Sequence, residues 1–113
     1  MSDCLFCKII AGDLPSTKIY EDDLIIAFND LYPKAPVHFL VIPKIHISSC
    51  DGINTENCDV IARIFKAIPE LASKANISGG YRVVTNCGED GGQTVGHLHF
   101  HVLGGRKMDL NFG

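Results

Sequence analysis

The run His97-Leu98-His99-Phe100-His101-Val102 constrains this chain more than any other segment. Polar and apolar residues alternate strictly, the period of a strand with one face turned to a core; on a helix the three imidazoles would scatter around the axis. As a strand, Leu98, Phe100 and Val102 point inward, while His97, His99 and His101 stand together on the opposite face. Random placement of the five histidines would produce this pattern in about one chain in a hundred. A lone histidine on a strand face is ordinarily a solvated or hydrogen-bonded ring; three in register point to chemistry. Crowded imidazoles depress one another's pKa, so neutral and protonated rings are expected side by side near neutral pH. A neutral ring would attack, and protonated neighbours would offset charge on an anion. Upstream, Gly91-Gly92-Gln93-Thr94 offers backbone N–H groups and two side-chain donors of the kind phosphoryl oxygens require. An ordinary hairpin turn is the alternative for Glu89-Asp90-Gly91-Gly92. Neither a Walker-type nor a dinucleotide glycine pattern occurs.

The rest of the 113 residues must supply a scaffold, and that length predicts one domain, residues 1–113. Asp3 as N-cap, Leu5, Phe6, Ile9 and Ile10 as an apolar face and Gly12 as a stop predict a short helix with Cys4 and Cys7 on one side. Lys18–Tyr20 and Leu24–Phe28 read as a hairpin around Glu21-Asp22-Asp23, and Val37–Ile42 as a strand ended by Pro43. Thr55 can cap a long amphipathic helix carrying Ile61, Ile64, Phe65, Ile68, Leu71, Ala72 and Ala75, with Pro69 predicting a kink or a division in two. Gly79-Gly80 closes it, Tyr81–Cys87 reads as a strand, and Val95–Leu103 as the last one. Connections too short for parallel crossovers make this an α+β fold with a mainly antiparallel sheet.

Hydrophobic residues at 46% against 20% charged place the chain among ordinary globular proteins. A formal charge of -3 with scattered basic residues argues against nucleic acid as a partner. No apolar run approaches a membrane span, and the N-terminus lacks the features of an export signal. Five cysteines without such a signal predict reduced thiols or metal ligands in a cytoplasmic protein. On that reading the Asn76-Ile77-Ser78 glycosylation pattern is unused. Cys4-x-x-Cys7 is compatible with a redox pair, with two buried thiols, or with half of a tetrahedral zinc site completed by histidines.

Asn86, Gly91-Gly92-Gln93-Thr94-Val95 and His97-Leu98-His99-Phe100-His101-Val102-Leu103-Gly104-Gly105-Arg106 together resemble the signature of the histidine triad family, and closely that of its nucleoside phosphoramidase branch. Phe6-Cys7-Lys8-Ile9-Ile10, Tyr20-Glu21-Asp22, Ala27-Phe28-Asn29-Asp30 and His38 to Ile47 match the same branch in order, so the resemblance covers nearly the whole chain. It implies a five-stranded sheet, with one long and one short helix, continued across a homodimer. It also implies hydrolysis of nucleoside 5'-phosphoramidates, above all those of adenosine, with AMP and other purine nucleotides as ligands. On this likeness His99 is the nucleophile that forms a nucleotidyl-histidine intermediate, His101 contacts the phosphate, His38 hydrogen-bonds into the triad, and His97 supports His99. Asp30 would hold the ribose hydroxyls. Phe6, Phe28, Asn29, Leu31 and Leu40 would line the nucleoside pocket, and Asn86, Gly92, Gln93, Thr94 and Val95 would meet the phosphate and leaving group. Some microbial members carry a structural zinc, whose ligands would here be Cys4, Cys7, His46 and His97. Relatives closest in the triad usually end in a tail containing Trp and Pro, whereas this chain ends Leu110-Asn111-Phe112-Gly113.

Two other readings of the same residues stay open. One is a hydrolase with a catalytic metal on His97, His99 and His101, although three histidines in one line span about 13 Å end to end at ~3.3 Å per residue. The other is a nucleotide-binding module with little turnover.

Overall fold

A computed structural model describes residues 4–112. Helix α1 (Leu5–Ala11) comes first, then strands β1 (Lys18–Glu21), β2 (Ile25–Asn29) and β3 (Val37–Pro43). A short 3-10 turn (Cys50–Gly52), the long helix α2 (Cys58–Lys74), β4 (Tyr81–Val84) and β5 (Phe100–Gly104) complete it. The strands form one sheet in the order β1-β2-β3-β5-β4, every neighbouring pair antiparallel.

Local chemistry accounts for the boundaries. The Cys4 thiol caps α1 by accepting the Cys7 N–H, and the helix stops at Gly12, whose φ of 84° an L side chain rarely adopts. Asp3, the cap expected from the sequence, lies outside the described residues. Asp22 Oδ1 accepts the N–H groups of Leu24 and Ile25, turning the chain from β1 into β2. Helix α2 starts at Cys58 after a turn in which Asn54 and Asn57 bond each other's backbone, two residues later than a Thr55 cap implies. Pro69 leaves α2 one uninterrupted element: both it and Phe65, whose carbonyl its ring leaves without a donor, lie on the exposed side.

Both faces of the sheet are covered. Ile25, Ala27, Phe39, Val41, Leu98, Phe100 and Val102 meet Ile64, Ile68 and Leu71 of α2 in the main core. On the other face Phe6 of α1 packs with Ile26, Phe28, Leu40 and Ile42 in a smaller core. The alternation in β2 and β3 is therefore apolar on both sides, and the histidines share their face with an aromatic cluster under α1. The ladder itself begins only at Phe100, opposite Val41 of β3, and pairing with β4 begins at His101, opposite Val84. Among the described residues no helix is long and apolar enough to cross a membrane.

Candidate active site

The strand approach that carries the histidines is pinned from both sides. Leu98 N–H donates to the Ile47 carbonyl at 2.6 Å, and the Thr85 hydroxyl donates to the His99 carbonyl at 2.8 Å. Alternation thus survives beyond the ladder: Leu98 is buried in the main core, and His97 and His99 are buried on the opposite side. Phe6 stands edge-on to His99, ring centroids 5.1 Å apart, and closes its outer flank.

Hydrogen bonds to backbone groups set the tautomers of His99, His38 and His97, and His38 in turn sets that of His101. His99 Nδ1 lies 2.7 Å from the His97 carbonyl, which can only accept. In the neutral ring the proton is therefore on Nδ1, and Nε2 keeps a lone pair. The Lys34 N–H donates to His38 Nδ1 at 3.0 Å, so His38 carries its proton on Nε2, 2.9 Å from His101 Nδ1. His101 accepts there, and its own proton is on Nε2. His97 Nε2–H donates to the Pro43 carbonyl at 2.9 Å, leaving Nδ1 unprotonated. Two residues apart in sequence, His99 and His101 present a lone pair and an N–H respectively.

The mixture of neutral and protonated rings expected from crowding is not what this environment favours. Burial, followed by the neighbouring His99 and His38, pushes His101 down to about 4. Burial likewise lowers His38 and His97 from the ordinary imidazole value. Asp30 raises His38 and His101, with Oδ2 at 3.5 Å from His38 Nε2 and 4.0 Å from His101 Nδ1, but does not outweigh desolvation. These three rings are neutral at pH 7.

His99 and His101 line a cavity of about 510 Å³ with Phe6, Phe28, Asn29, Asp30, Leu31, Leu40, Thr94 and Val95. Ten residues singled out in the sequence thus converge on one space of the size small ligands occupy. Leu31 is 81% exposed at the rim, beside Tyr32 at 77%. Asp30 Oδ1 accepts the Tyr32 N–H in a turn, while Oδ2 faces the histidines. Asn86, Gly92 and Gln93 are not among the lining residues. The Gln93 amide is committed to the loop: Nε2 donates to the Ser48 and Val95 carbonyls, and Oε1 accepts the Gly88 N–H. In this structure Gln93 acts as a brace, and the donor expected of it is engaged.

A second cluster lies behind His97. Cys4 Sγ is 3.3 Å from His97 Nδ1, and Cys7 Sγ is 3.3 Å from His46 Nδ1 and 3.6 Å from His97 Nδ1. Tetrahedral zinc with two sulfur and two nitrogen ligands places S and N roughly 3.5 Å apart. The donor set, its spacing and the unprotonated Nδ1 of His97 fit such an ion.

Sequence reading overlooked Ser16, Thr17 and Tyr32, which also line the cavity, and the backbone groups of Lys34, Pro43 and His97 that orient the rings. Thr17 and Tyr32 flank strands, where turn signals mask a lining role; backbone groups carry no residue-type signal at all.

A family profile described as "scavenger mRNA decapping enzyme C-term binding" matches residues 3–111. Protein HitA of Neisseria gonorrhoeae is 38% identical over 104 residues, 92% of this chain and 97% of that protein. A HIT-like protein of Rickettsia prowazekii is 46% identical, covering 92% of this chain and 88% of its own. Among solved structures, a HIT family hydrolase from Clostridium thermocellum superposes with a TM-score of 0.96 at 48% identity, over 99% of this chain and 98% of that one. A histidine triad protein from Clostridium difficile gives 0.94 at 47% identity, over 100% and 98%. With likeness of sequence and fold extending over essentially its whole length, the chain belongs to the histidine triad (HIT) family.

Proposed function

We propose that the protein hydrolyses nucleoside 5'-phosphoramidates, of the adenosine 5'-monophosphoramidate type, to a nucleoside monophosphate and an amine. The observation that carries this reading is the pair of opposite tautomers in one cavity: a lone pair on His99 Nε2 beside an N–H on His101 Nε2. His99 Nε2 attacks phosphorus, the P–N bond breaks, and the amine leaves with a proton drawn from solvent. The ring becomes a nucleotidyl-imidazolium, whose Nδ1–H donates more strongly to the His97 carbonyl as charge develops. His101 Nε2–H donates to a phosphoryl oxygen, and His38 keeps it aimed by bonding its other nitrogen. Water then attacks phosphorus, the P–N bond to His99 breaks, and the monophosphate departs with a proton released to solvent. Asp30 Oδ2 suits the ribose hydroxyls, and the apolar wall of Phe6, Phe28, Leu31 and Leu40 suits a purine.

Cys4, Cys7, His46 and His97 would hold a structural zinc, which ties α1 and the segment after β3 to the base of the triad. Its role is support, and His97 takes no part in proton transfer. The chain pairs as a homodimer through β4, since the other edge strand, β1, is blunted by the Lys18–Glu21 and Lys44–Glu21 ion pairs. Five free thiols suit the reducing cytoplasm.

The test is incubation with adenosine 5'-phosphoramidate while following AMP release and an acid-labile adenylyl adduct by mass spectrometry. An adduct on the peptide containing His99 is expected. Turnover abolished by chelator without unfolding would instead favour a catalytic metal.

A further inference from the structure

A third group of donor atoms lies outside the triad and the Cys4–Cys7 cluster. Cys50 and Asp51 belong to the 3-10 turn after β3, and Cys87 follows β4 at the root of the glycine-rich loop. Their Sγ, carboxylate and Sγ atoms all lie within 4.8 Å of one another, although Cys87 is far from the other two in sequence. All four thiols of the two clusters are free and half-buried, whereas Cys58 is exposed. Ser49 organises the third group, its Oγ accepting both the Cys87 thiol at 3.5 Å and the Asp51 N–H at 3.2 Å.

We propose that Cys50, Asp51 and Cys87 form a second metal site, for a thiophilic divalent cation of the zinc class. Two thiolates bridged by such an ion stand roughly 3.7 Å apart, a separation compatible with atoms that lie within 4.8 Å of one another. A disulfide demands approach to about 2.05 Å, a larger movement. Asp51 separates the two outcomes further. Its negative charge opposes the thiolate that thiol–disulfide exchange requires, yet it attracts a cation and can serve as the third ligand. Each thiol loses its proton to solvent on binding, and the fourth position is left to water, so this site is open and exchanges faster than the four-ligand cluster.

The site has a mechanical consequence. A Cβ on Gly91 would overlap the Cys87 carbonyl oxygen, and Gln93 bonds Ser48, so the loop is stacked on one ligand and tethered beside the other. A bound ion fastens the root of the loop to the 3-10 turn, stiffening the segment that leads through Thr94 to His99.

The experiment titrates Cd²⁺ into the reduced, chelator-stripped full chain and follows the thiolate-to-cadmium charge-transfer absorption. Two equivalents are expected, falling to one in Cys50→Ser/Cys87→Ser, and Asp51→Asn should weaken the second by at least about tenfold. A parallel measurement needs no variant: Cd²⁺ should protect Cys50 and Cys87 from alkylation, mapped by peptide mass, while exposed Cys58 reacts at an unchanged rate. A stoichiometry left unchanged by Cys50→Ser/Cys87→Ser overturns the proposal. So does alkylation of Cys50 and Cys87 indifferent to Cd²⁺, or a Cys50–Cys87 peptide pair two hydrogens lighter under mild oxidation with no second equivalent when reduced.

Discussion

His99 and His101 are near neighbours, ring centroids 5.0 Å apart, yet in the proposed mechanism one attacks and the other donates. Substitution should separate these roles. Replacing His99 with Asn removes the nucleophile and leaves the cavity wall, so AMP should still bind while turnover falls on the order of 10⁴-fold or more with no adduct detectable. Replacing His101 with Asn removes one aimed donor, an effect of about 10²–10³-fold, and the adduct should still form. Equal, mild effects from the two variants would refute the assignment. His101 also makes stability depend on pH. It titrates at about 4 when folded and at the ordinary 6.5 when unfolded, so between those values the unfolded chain holds more protons. This contribution is complete above pH 6.5 and declines as pH falls toward 4, by on the order of 3 kcal/mol. The groups facing it are His38 on β3, Asp30 after β2, and His99. Urea unfolding at pH 7 and pH 5 should show the loss, with a shallower slope in His101→Asn; parallel slopes would contradict it.

At the scale of elements, α1 is seven residues long, too short to be stable alone, and is held by Phe6 in the smaller core and by its two thiols. If zinc joins those thiols to His46 and His97, stripping it should lower the melting temperature by several degrees while the folded fraction keeps its chemistry. Cys7→Ser should show the same deficit and little further response to chelator. A chelator effect as large in the variant as in the parent would place the ion elsewhere. The glycine-rich loop is held differently, by backbone packed on backbone. Gly91→Ala forces the loop off Cys87, and a loss of about 1–3 kcal/mol is expected in chemical denaturation. Unaltered stability would mean that the loop yields without resistance.

For the whole molecule, β4 ends the sheet on the side next to the triad-bearing strand. Sedimentation at micromolar concentration should give twice the monomer mass, and a monomer would remove the pairing through β4. The tail returns to this same edge: the Arg82 guanidinium donates to the Asp109 carbonyl and lies 5.0 Å from the centre of the Phe112 ring. Deleting residues 110–113, the last of which lies outside the described residues, should alter preference among amines more than affinity for AMP. Identical selectivity profiles would separate the tail from the site.

The alternation from His97 to Val102 was sufficient to assign the two faces, although only Phe100 to Val102 of that run lies in β5, because side-chain direction in extended chain depends only on residue parity. The apolar spacing of Ile64, Ile68 and Leu71 similarly announced α2, and Gly12 the end of α1. Boundaries drifted where turns competed, as at Thr55, and where the ladder frayed before Phe100. The second core under α1, the Gln93 brace and the Cys50–Asp51–Cys87 cluster were not legible, since each joins residues whose separation in the chain says nothing of their separation in space. The same holds for the tautomers. Every residue carries a carbonyl, and nearly every one an N–H, so no pattern of residue types reveals that Pro43, His97 and Lys34 are the ones the imidazoles meet. The sequence by itself determined which side chains could share a face; only the tertiary structure decided which nitrogen of each ring holds its proton, because that depends on the register that brings particular backbone groups against it.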